Sequence, residues 1–261
     1  MVNLKRKENC RVIEQKRIGR DVYSLWLETK DIASNAAPGQ FVMLYGKDGS
    51  RLLPRPISVC QTKGNELRLA YRVVGAGTEE FSRLEAGQSL EVLGPLGSGF
   101  PIEEVRGKKT LLLGGGIGIP PMLEAAAQLK ENVTAVLGYK DEVFLKEDFE
   151  KFCPVVYAIE DEAAEADGAI KGNVLDAVRE QGVQADVIFA CGPAPMLRAI
   201  QVYAQGRNIP CWISMEERMA CGIGACLGCV CDAVQEDAHL RVYRKRVCKD
   251  GPVFLSTEVE L

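Results

Sequence analysis

Cysteine is the residue type whose spacing in this chain suggests chemistry. The chain has ten cysteines and one histidine, and half of the cysteines lie in one short stretch: Cys221, Cys226, Cys229, Cys231 and Cys248. No apolar run of the kind that a secretory signal needs follows Lys5. A disulfide framework is therefore disfavoured, because cytosolic thiols stay reduced. The clustering indicates a metal or cluster site.

Four of these cysteines have the spacing of iron ligands. Cys221-x4-Cys226-x2-Cys229, with Cys248 19 residues further on, is typical of plant-type two-iron clusters. Glycine and alanine occupy most of the intervening positions, so the chain can curl with its backbone N–H groups directed at the sulfurs. A four-thiolate zinc site is the alternative, although such sites usually have two-residue spacing at both ends. Cys231 is left as a surplus thiol.

A glycine turn at residues 114–118 predicts a nucleotide site. It lies between an apolar run and a segment that opens with Pro120-Pro121, where backbone N–H groups at a helix start can bind a pyrophosphate. Ile119 stands where a Rossmann fingerprint has its third glycine, and a plain tight turn is the alternative. The candidate contacts are Gly114, Gly115, Gly116, Ile117 and Gly118.

A second turn, Cys191-Gly192-Pro193, follows a later apolar run. It falls at the carboxyl edge of the predicted sheet, where ligands bind in such folds, although Cys191 can equally be read as an ordinary buried cysteine. His239 lies in a polar run and is predicted to be a surface loop residue. A single histidine leaves little scope for catalysis by a nucleophile and a histidine.

Phosphate-binding residue types recur in the first hundred residues. Arg55 and Ser58 belong to the string Arg-Pro-Ile-Ser, Tyr71-Arg72 lies on the next predicted strand, and Gly77-Thr78 follows it. Arginine binds phosphate through two parallel hydrogen bonds, and hydroxyl groups donate to phosphate or flavin oxygens. Any one of these features is weak evidence by itself.

The elements that must position these residues are of two kinds. Up to about residue 100, short β-rich runs alternate with turn residues, which predicts antiparallel strands in a small closed barrel. From about residue 108, strands alternate with helices, which predicts a parallel sheet wound on both faces. The predicted barrel strands are 23–28, 41–45, 57–61, 66–74 and 89–93. The predicted sheet strands are 110–113, 133–137, 155–159, 187–190 and, as the last strand, 212–215; the helices are 122–130, 143–152, 174–181 and 194–205.

Composition limits the function classes. Thirty-two basic against thirty-six acidic residues give a net charge of -4, so the chain has no electrostatic footprint for nucleic acid. Hydrophobic residues make up 47% and charged residues 26%, which excludes a disordered chain. The longest uncharged stretch, residues 110–123, is broken by glycine and proline and too short to span a bilayer. We expect a soluble cytoplasmic protein.

Taken together and in this order, the motifs resemble those of the ferredoxin-NADP reductase superfamily. Residues 55–58 match its flavin motif, 77–78 its flavin phosphate turn, 114–121 its pyrophosphate loop, and 191–193 its nicotinamide-side motif. The resemblance implies a FAD-binding barrel at 1–103, a NAD-binding domain at 104–214 and a cluster segment at 215–261. It implies FAD contacts at Arg55, Pro56, Ile57, Ser58, Ala70, Tyr71, Arg72, Gly77 and Thr78. NAD contacts are implied at Gly114, Gly115, Gly116, Ile117, Gly118, Cys191, Gly192 and Pro193, with Cys191 as the candidate catalytic residue.

Within that superfamily, residues 216–229 and 247–254 resemble the iron–sulfur electron-transfer subunits of type B dihydroorotate dehydrogenases. This resemblance implies a [2Fe-2S] cluster held by Cys221, Cys226, Cys229 and Cys248, beside FAD and NAD. It also implies a partner, the FMN-containing catalytic subunit that oxidises dihydroorotate in pyrimidine biosynthesis, in a heterotetramer with two copies of each. Electrons would run from FMN through the cluster and FAD to NAD+. Neither nucleic acid nor a membrane is an expected partner.

Two alternatives stay open at this point. One is a reductase subunit of another complex, such as a sulfide dehydrogenase or an oxygenase. The other is a non-catalytic binding module whose fold is stabilised by a structural zinc ion. After the strand at 133–137, the acidic pair Asp141-Glu142 and the lack of an arginine cluster favour NAD over NADP.

Overall fold

The first part of the chain forms a closed antiparallel barrel. The computed structural model describes residues 5–49, 52–161, 168–236 and 242–261. The barrel strands, in the order β1-β2-β5-β4-β3-β6, are β1 (Arg6–Gly19), β2 (Val22–Glu28), β3 (Phe41–Tyr45), β4 (Arg55–Lys63), β5 (Glu66–Arg72) and β6 (Ser89–Leu96). Two short helices, α1 (Ile32–Asn35) and α2 (Ala76–Phe81), lie in the connections. The predicted barrel is confirmed.

Alternation of side chains explains why these runs form a barrel. Along β5 and β2, Leu67, Leu69, Leu25 and Leu27 are fully buried, and they share the barrel core with Phe81. Residues at every second position of a strand point to one face, so such runs close around an apolar interior.

The strand β1 was absent from the sequence prediction. It is rich in Lys, Arg and Glu, and its outward half is charged. Along residues 6–14 of this strand the buried positions, Glu8, Cys10 and Val12, alternate with exposed ones. Burial of every second residue is sufficient to hold an antiparallel strand whose other face meets water.

The second part is a seven-stranded sheet in the order β10-β9-β8-β7-β11-β12-β15. Its strands are β7 (Thr110–Gly115), β8 (Val133–Tyr139), β9 (Val155–Ile159), β10 (Ile170–Lys171), β11 (Val187–Cys191), β12 (Cys211–Ser214) and β15 (Val253–Leu255). The helices are α3 (Pro120–Leu129), α4 (Lys146–Glu150), α5 (Val174–Glu180) and α6 (Ala194–Gln205). All neighbouring strands are parallel except β12 and β15. The predicted doubly wound sheet is confirmed.

Two details of the prediction are wrong. The helix expected over 143–152 is confined to α4, because Leu145 adopts a left-handed φ of 60° immediately before it and Phe144 packs edge-on against Tyr139. The strand at 212–215 was expected to be the last, yet β15 extends the sheet beyond it. A three-residue strand that pairs only through tertiary contact leaves no periodic signal in a sequence.

The C-terminal segment adds a two-stranded hairpin, β13 (Val230–Asp232) with β14 (Arg244–Arg246), and packs against both larger parts. A Cβ atom on Gly222 would lie 2.7 Å from Met43 of β3, so this loop touches the barrel. The carbonyl of Gly251 accepts a hydrogen bond from Ser98 N at 2.6 Å, and β15 then joins the sheet. Among the described residues, no helix is long and apolar enough to cross a membrane.

Candidate electron-transfer site

The four cysteines with iron-ligand spacing come from the loop at residues 221–229 and from the turn that follows β14, and backbone N–H groups of both segments point at their sulfurs. Ile223 N and Cys226 N donate to Cys221 Sγ at 3.5 and 3.4 Å. The other three sulfurs each accept one backbone N–H: Gly228 N to Cys226 at 3.4 Å, Gly224 N to Cys248 at 3.1 Å, and Cys248 N to Cys229 at 3.4 Å. Such donors stabilise sulfur in its thiolate form, which is the form that binds metal.

The cysteines are arranged as two pairs. The Cys221 thiol interacts with that of Cys226, and the Cys248 thiol with that of Cys229. In the part of the chain that the structure describes, no three His, Cys, Asp or Glu side chains converge on one point that could hold a single metal ion. Two thiolates for each of two metal ions is the donor set of a two-iron cluster, whereas zinc needs all four around one centre. The two thiol pairs therefore fit the donor set of a two-iron cluster.

Thiol ionisation differs between the pairs. Burial alone would raise the pKa of Cys221, but the N–H groups of Ile223 and Cys226 outweigh it and lower the pKa to about 6. Burial, with the neighbouring Cys229 thiol, raises the pKa of Cys248 to about 12. Crowded thiols resist losing their protons together, so metal binding at this loop must displace protons and depends on pH.

Glycine is required at two positions of the loop. Gly222 and Gly224 have φ values of 69° and 84°, which side chains rarely adopt. A Cβ on Gly224 would also lie 2.7 Å from the side chain of Lys249. These glycines let the chain turn tightly enough for its N–H groups to face the sulfurs.

The remaining residue of the cysteine stretch lies apart from the pairs. Cys231 is on β13, where it is buried and pairs through its backbone with Lys245. Burial raises its pKa, which favours a neutral thiol. His239, predicted to lie on a surface loop, falls outside the described residues.

The two glycine turns meet at the carboxyl edge of the sheet. Gly114, the last residue but one of β7, lies directly beside Cys191 on β11. Residues Gly116–Gly118 form a 3-10 turn that leads into α3. A Cβ on Gly118 would lie 2.6 Å from Gly192 N and closer still to the carbonyl of Cys191. The turns predicted to bind the pyrophosphate and the nicotinamide side are thus in backbone contact.

The surroundings of the Cys191 thiol keep it in its neutral form. Burial raises its pKa to about 12, a shift that Ser214 opposes by hydrogen bonding and that the charge of Glu216 increases. A neutral thiol is a poor nucleophile, so this side chain suits packing beside a ligand better than covalent chemistry.

Sequence reasoning missed two residues at this edge. Ser214 ends β12 next to Cys191, and a Cβ on Gly192 would lie 2.7 Å from Cε of Met196, so Met196 lies against this turn. The only signal for Ser214 was its place at the end of a predicted strand.

Two of the predicted flavin motifs come together on the barrel. The guanidinium of Arg55, at the start of β4, lies against Gly77: a Cβ there would fall 2.6 Å from its NH2. Arg55 also donates to the carbonyl of Leu53. The hydroxyl of Thr78 is engaged within its own turn, accepting from Val74 N at 3.0 Å and donating to Gly75 O at 3.0 Å. Thr78 therefore shapes the turn beside Arg55.

The other predicted flavin residues lie on different faces. Pro56, Ile57 and Ser58 are half-buried on β4, and Arg72 is exposed at the end of β5. Tyr71 is 1% exposed in the barrel core, and its hydroxyl accepts from Gln15 Nε2 at 2.7 Å. Ala70 faces the opposite way, into the buried cluster that the barrel shares with the parallel sheet. The Tyr71 side chain is therefore separated from the surface that carries Arg55.

The acidic pair after β8 contacts the barrel. Glu142 accepts from Arg20 N at 2.6 Å, and Asp141 pairs with the Arg20 guanidinium at 3.4 Å. Both carboxylates face the turn between β1 and β2, where Arg20 is their partner.

A closed antiparallel barrel, a doubly wound sheet and a C-terminal segment with two cysteine pairs together are the architecture of an iron–sulfur reductase of the ferredoxin-NADP reductase type. The family model for the iron–sulfur cluster binding domain of dihydroorotate dehydrogenase B matches residues 216–260. A solved structure described as an NADH-dependent reduced ferredoxin-NADP oxidoreductase is 28% identical, with a TM-score of 0.82 over 96% of this chain and 89% of that one.

Curated relatives cover nearly the whole chain. The dihydroorotate dehydrogenase B (NAD(+)) electron transfer subunit of Caldanaerobacter subterraneus is 42% identical over 97% of this chain and 98% of the relative. The protein of the same name from a Geobacillus species is 39% identical over 98% and 99%. This chain belongs to the family of electron transfer subunits of dihydroorotate dehydrogenase B. The resemblance noted in the sequence is confirmed.

Proposed function

We propose that this chain delivers electrons to NAD+ as the electron-transfer subunit of a dihydroorotate dehydrogenase, with FAD and a [2Fe-2S] cluster as its cofactors. The electrons come from a separate catalytic subunit that carries FMN and oxidises dihydroorotate to orotate in pyrimidine biosynthesis. The observation that carries the proposal is the group of two cysteine pairs, Cys221 with Cys226 and Cys229 with Cys248, on a reductase fold. Each of the four sulfurs accepts a hydrogen bond from a backbone N–H group.

The chemistry requires three kinds of carrier. Nicotinamide exchanges a hydride, whereas an iron–sulfur cluster passes single electrons, and a bound flavin can do both. In our proposal Cys221, Cys226, Cys229 and Cys248 hold the cluster.

FAD occupies the barrel surface around β4 and α2. Arg55 binds a phosphate of FAD, Gly77 permits close approach of the backbone, and residues 56–58 with 70–72 line the flavin. For Tyr71 the contact is made by the backbone, since its side chain lies in the barrel core.

NAD occupies the edge formed by the two glycine turns. Residues 114–118 bind the pyrophosphate through backbone N–H groups at the start of α3, and residues 191–193 contact the nicotinamide side. The neutral Cys191 thiol packs beside the ring.

The finer assignments concern assembly and place. We propose that the complex contains two copies each of this chain and of the catalytic subunit and that it is located in the cytoplasm. We also propose that this chain divides into a FAD-binding domain at 1–103, a NAD-binding domain at 104–214 and a cluster segment at 215–261. Light scattering of the co-purified complex gives the stoichiometry, and a mass equal to one copy of each would contradict the tetramer.

The decisive test begins with the protein purified without oxygen. Its visible spectrum and its iron, sulfide, zinc and flavin contents are measured, and about two irons, two sulfides and one FAD per chain are expected for the proposed cofactors. Adding the catalytic subunit and dihydroorotate should then reduce NAD+.

Two results would contradict the proposal. Colourless protein with one zinc, after reconstitution with iron, sulfide and FAD has failed, would favour a zinc-stapled module. Cofactor-loaded protein that reduces no NAD+ with the catalytic subunit, yet serves a sulfide dehydrogenase or an oxygenase, would favour another partner.

A further inference from the structure

A buried carboxylate lies where the barrel meets the nucleotide sheet, away from the residues assigned above. Glu124 on α3 is 4% exposed. Its oxygens accept from Thr62 N at 2.7 Å and from the Thr62 hydroxyl at 3.1 Å, and Gln128 Nε2 donates to it at 2.8 Å. Because Thr62 belongs to β4, this contact joins the barrel to the sheet.

The two elements joined here are those that carry the ligand motifs. Strand β4 opens with Arg55 and the rest of the proposed flavin motif. Helix α3 begins directly after the turn at Gly116–Gly118, which we assign to the pyrophosphate. Glu124 lies one turn into that helix, so its bond to Thr62 connects the flavin strand with the nucleotide helix through a single side chain.

A second polar contact crosses the same boundary. Arg68 on β5 is held on the barrel side by Ser24 at 2.9 Å and Gln61 at 3.3 Å, with the Trp26 ring 5.5 Å from its guanidinium carbon. It reaches across to Asp148 on α4 at 3.0 Å. The two contacts anchor different helices of the sheet to the barrel.

Apolar packing surrounds these polar groups. Cys60 and Ala70 of the barrel belong to one continuous buried cluster with Met122 and Leu123 of α3. Apolar burial holds surfaces together without prescribing their alignment. A buried carboxylate does prescribe the alignment, because any other alignment would leave its oxygens or the Thr62 N–H buried without a hydrogen-bond partner.

We propose that Glu124 is a positioning residue that fixes the alignment of the barrel against the sheet, and through it the alignment of nicotinamide with flavin. The inference rests on the proposed function. Hydride transfer requires the reacting atoms to approach to about 3–3.5 Å, and a misplacement of about 1 Å can cost roughly 100-fold in rate. The motifs for the two rings lie on different structural units, so their approach depends on the joint between those units.

The test is rapid-mixing reduction of the FAD-loaded protein by NADH. Glu124→Leu should lower the limiting rate of flavin reduction by roughly 10- to 100-fold, while the apparent Kd for NADH stays within about threefold. The long-wavelength charge-transfer band between nicotinamide and flavin should weaken in parallel, and FAD and iron contents should stay unchanged. Glu124→Gln, which keeps an acceptor for Thr62 N, should recover most of the rate.

Two further variants complete the design. Thr62→Val removes only the 3.1 Å bond and should give a smaller loss in the same direction, which keeps the test open if Glu124→Leu does not fold. Glu131→Gln removes the charge of an exposed glutamate just beyond α3 and should behave as wild type.

Two outcomes separate the hypotheses. A normal limiting rate in Glu124→Leu, or a loss confined to FAD content and NADH affinity, would overturn the positioning role alone. Wild-type protein whose FAD is not reduced by NADH would overturn the proposed function instead.

Discussion

Replacing Gly118 by alanine tests the contact between the two glycine turns. The new Cβ would lie 2.6 Å from Gly192 N and closer to the Cys191 carbonyl, against an ordinary contact of 3.4 Å. The opposing atoms are backbone at the end of a central strand, so no side chain can rotate away. One of the two turns must therefore move by at least about 0.8 Å, the shortfall in the Gly192 contact.

The magnitude follows from the overlap. Overpacking a tight site costs typically 1–3 kcal/mol, and each 1.4 kcal/mol is a factor of ten in affinity. Because residues 114–118 form the proposed pyrophosphate turn, the displacement should weaken NADH binding by about 5- to 150-fold. The residues proposed to hold FAD and the cluster lie on other elements, so the contents of both cofactors should not change.

The assay is an equilibrium titration of NADH into Gly118→Ala, followed by flavin and protein fluorescence under conditions that prevent turnover. Gly49→Ala is the matched control, since a Cβ at that position has no atom of another described residue within 4 Å, its chain neighbours apart. An unchanged Kd for NADH, with an unchanged melting temperature, would refute the reasoning. A lower melting temperature with normal NADH affinity would show that the overlap is real but that the turn does not bind nucleotide.

Three further predictions concern the cluster, the thiol beside the nicotinamide turn and the boundary between the parts. Cys226→Ser should lose iron and partner-linked NAD+ reduction while NADH still reduces dyes through FAD, and equal loss of FAD and iron would count against separate sites. Burial raises the pKa of Cys191 to about 12, so its thiol stays protonated at lower pH. The rate of flavin reduction should therefore show no Cys191-dependent inflection between pH 6 and 9. Cys191→Ser should lower that rate by far less than the roughly 100-fold typical of a lost general acid or base. Burial alone would raise the pKa of Asp148, but Lys151 and Arg68 outweigh it and lower the pKa; Arg68→Met should destabilise the fold by roughly 1–3 kcal/mol. The loss in the free energy of unfolding should have its full size above the pKa of Asp in the unfolded chain, about 3.9, and should shrink as the pH falls through the lower pKa of Asp148 in the folded protein. A loss that does not depend on pH in thermal or denaturant unfolding would contradict the role of Asp148.

The parts of the fold that sequence reasoning predicted are those with local signals. The glycine turn between β7 and α3 shows in the residue order, because it needs flexible backbone beside an apolar run. The cysteine spacing predicts the loop at Cys221 because cluster geometry dictates the intervals between ligands.

The parts that it missed depend on tertiary contact. Strand β1 has too many charges for an alternating pattern to stand out, and β15 is three residues long. The bond from Thr62 to Glu124 joins residues from different structural units, so neither position carries a recognisable pattern. For Tyr71, the string of β5 residues indicated a flavin contact but not that its side chain points into the barrel core.

Strand β15 has a consequence for the order in which the site is completed. Cys221, Cys226 and Cys229 are synthesised before Cys248, whose chain continues through Gly251 into β15. That strand covers the edge of β12, and uncovered edges are templates for aggregation. The segment that supplies the fourth proposed cluster ligand therefore also covers the edge of the parallel sheet at β12.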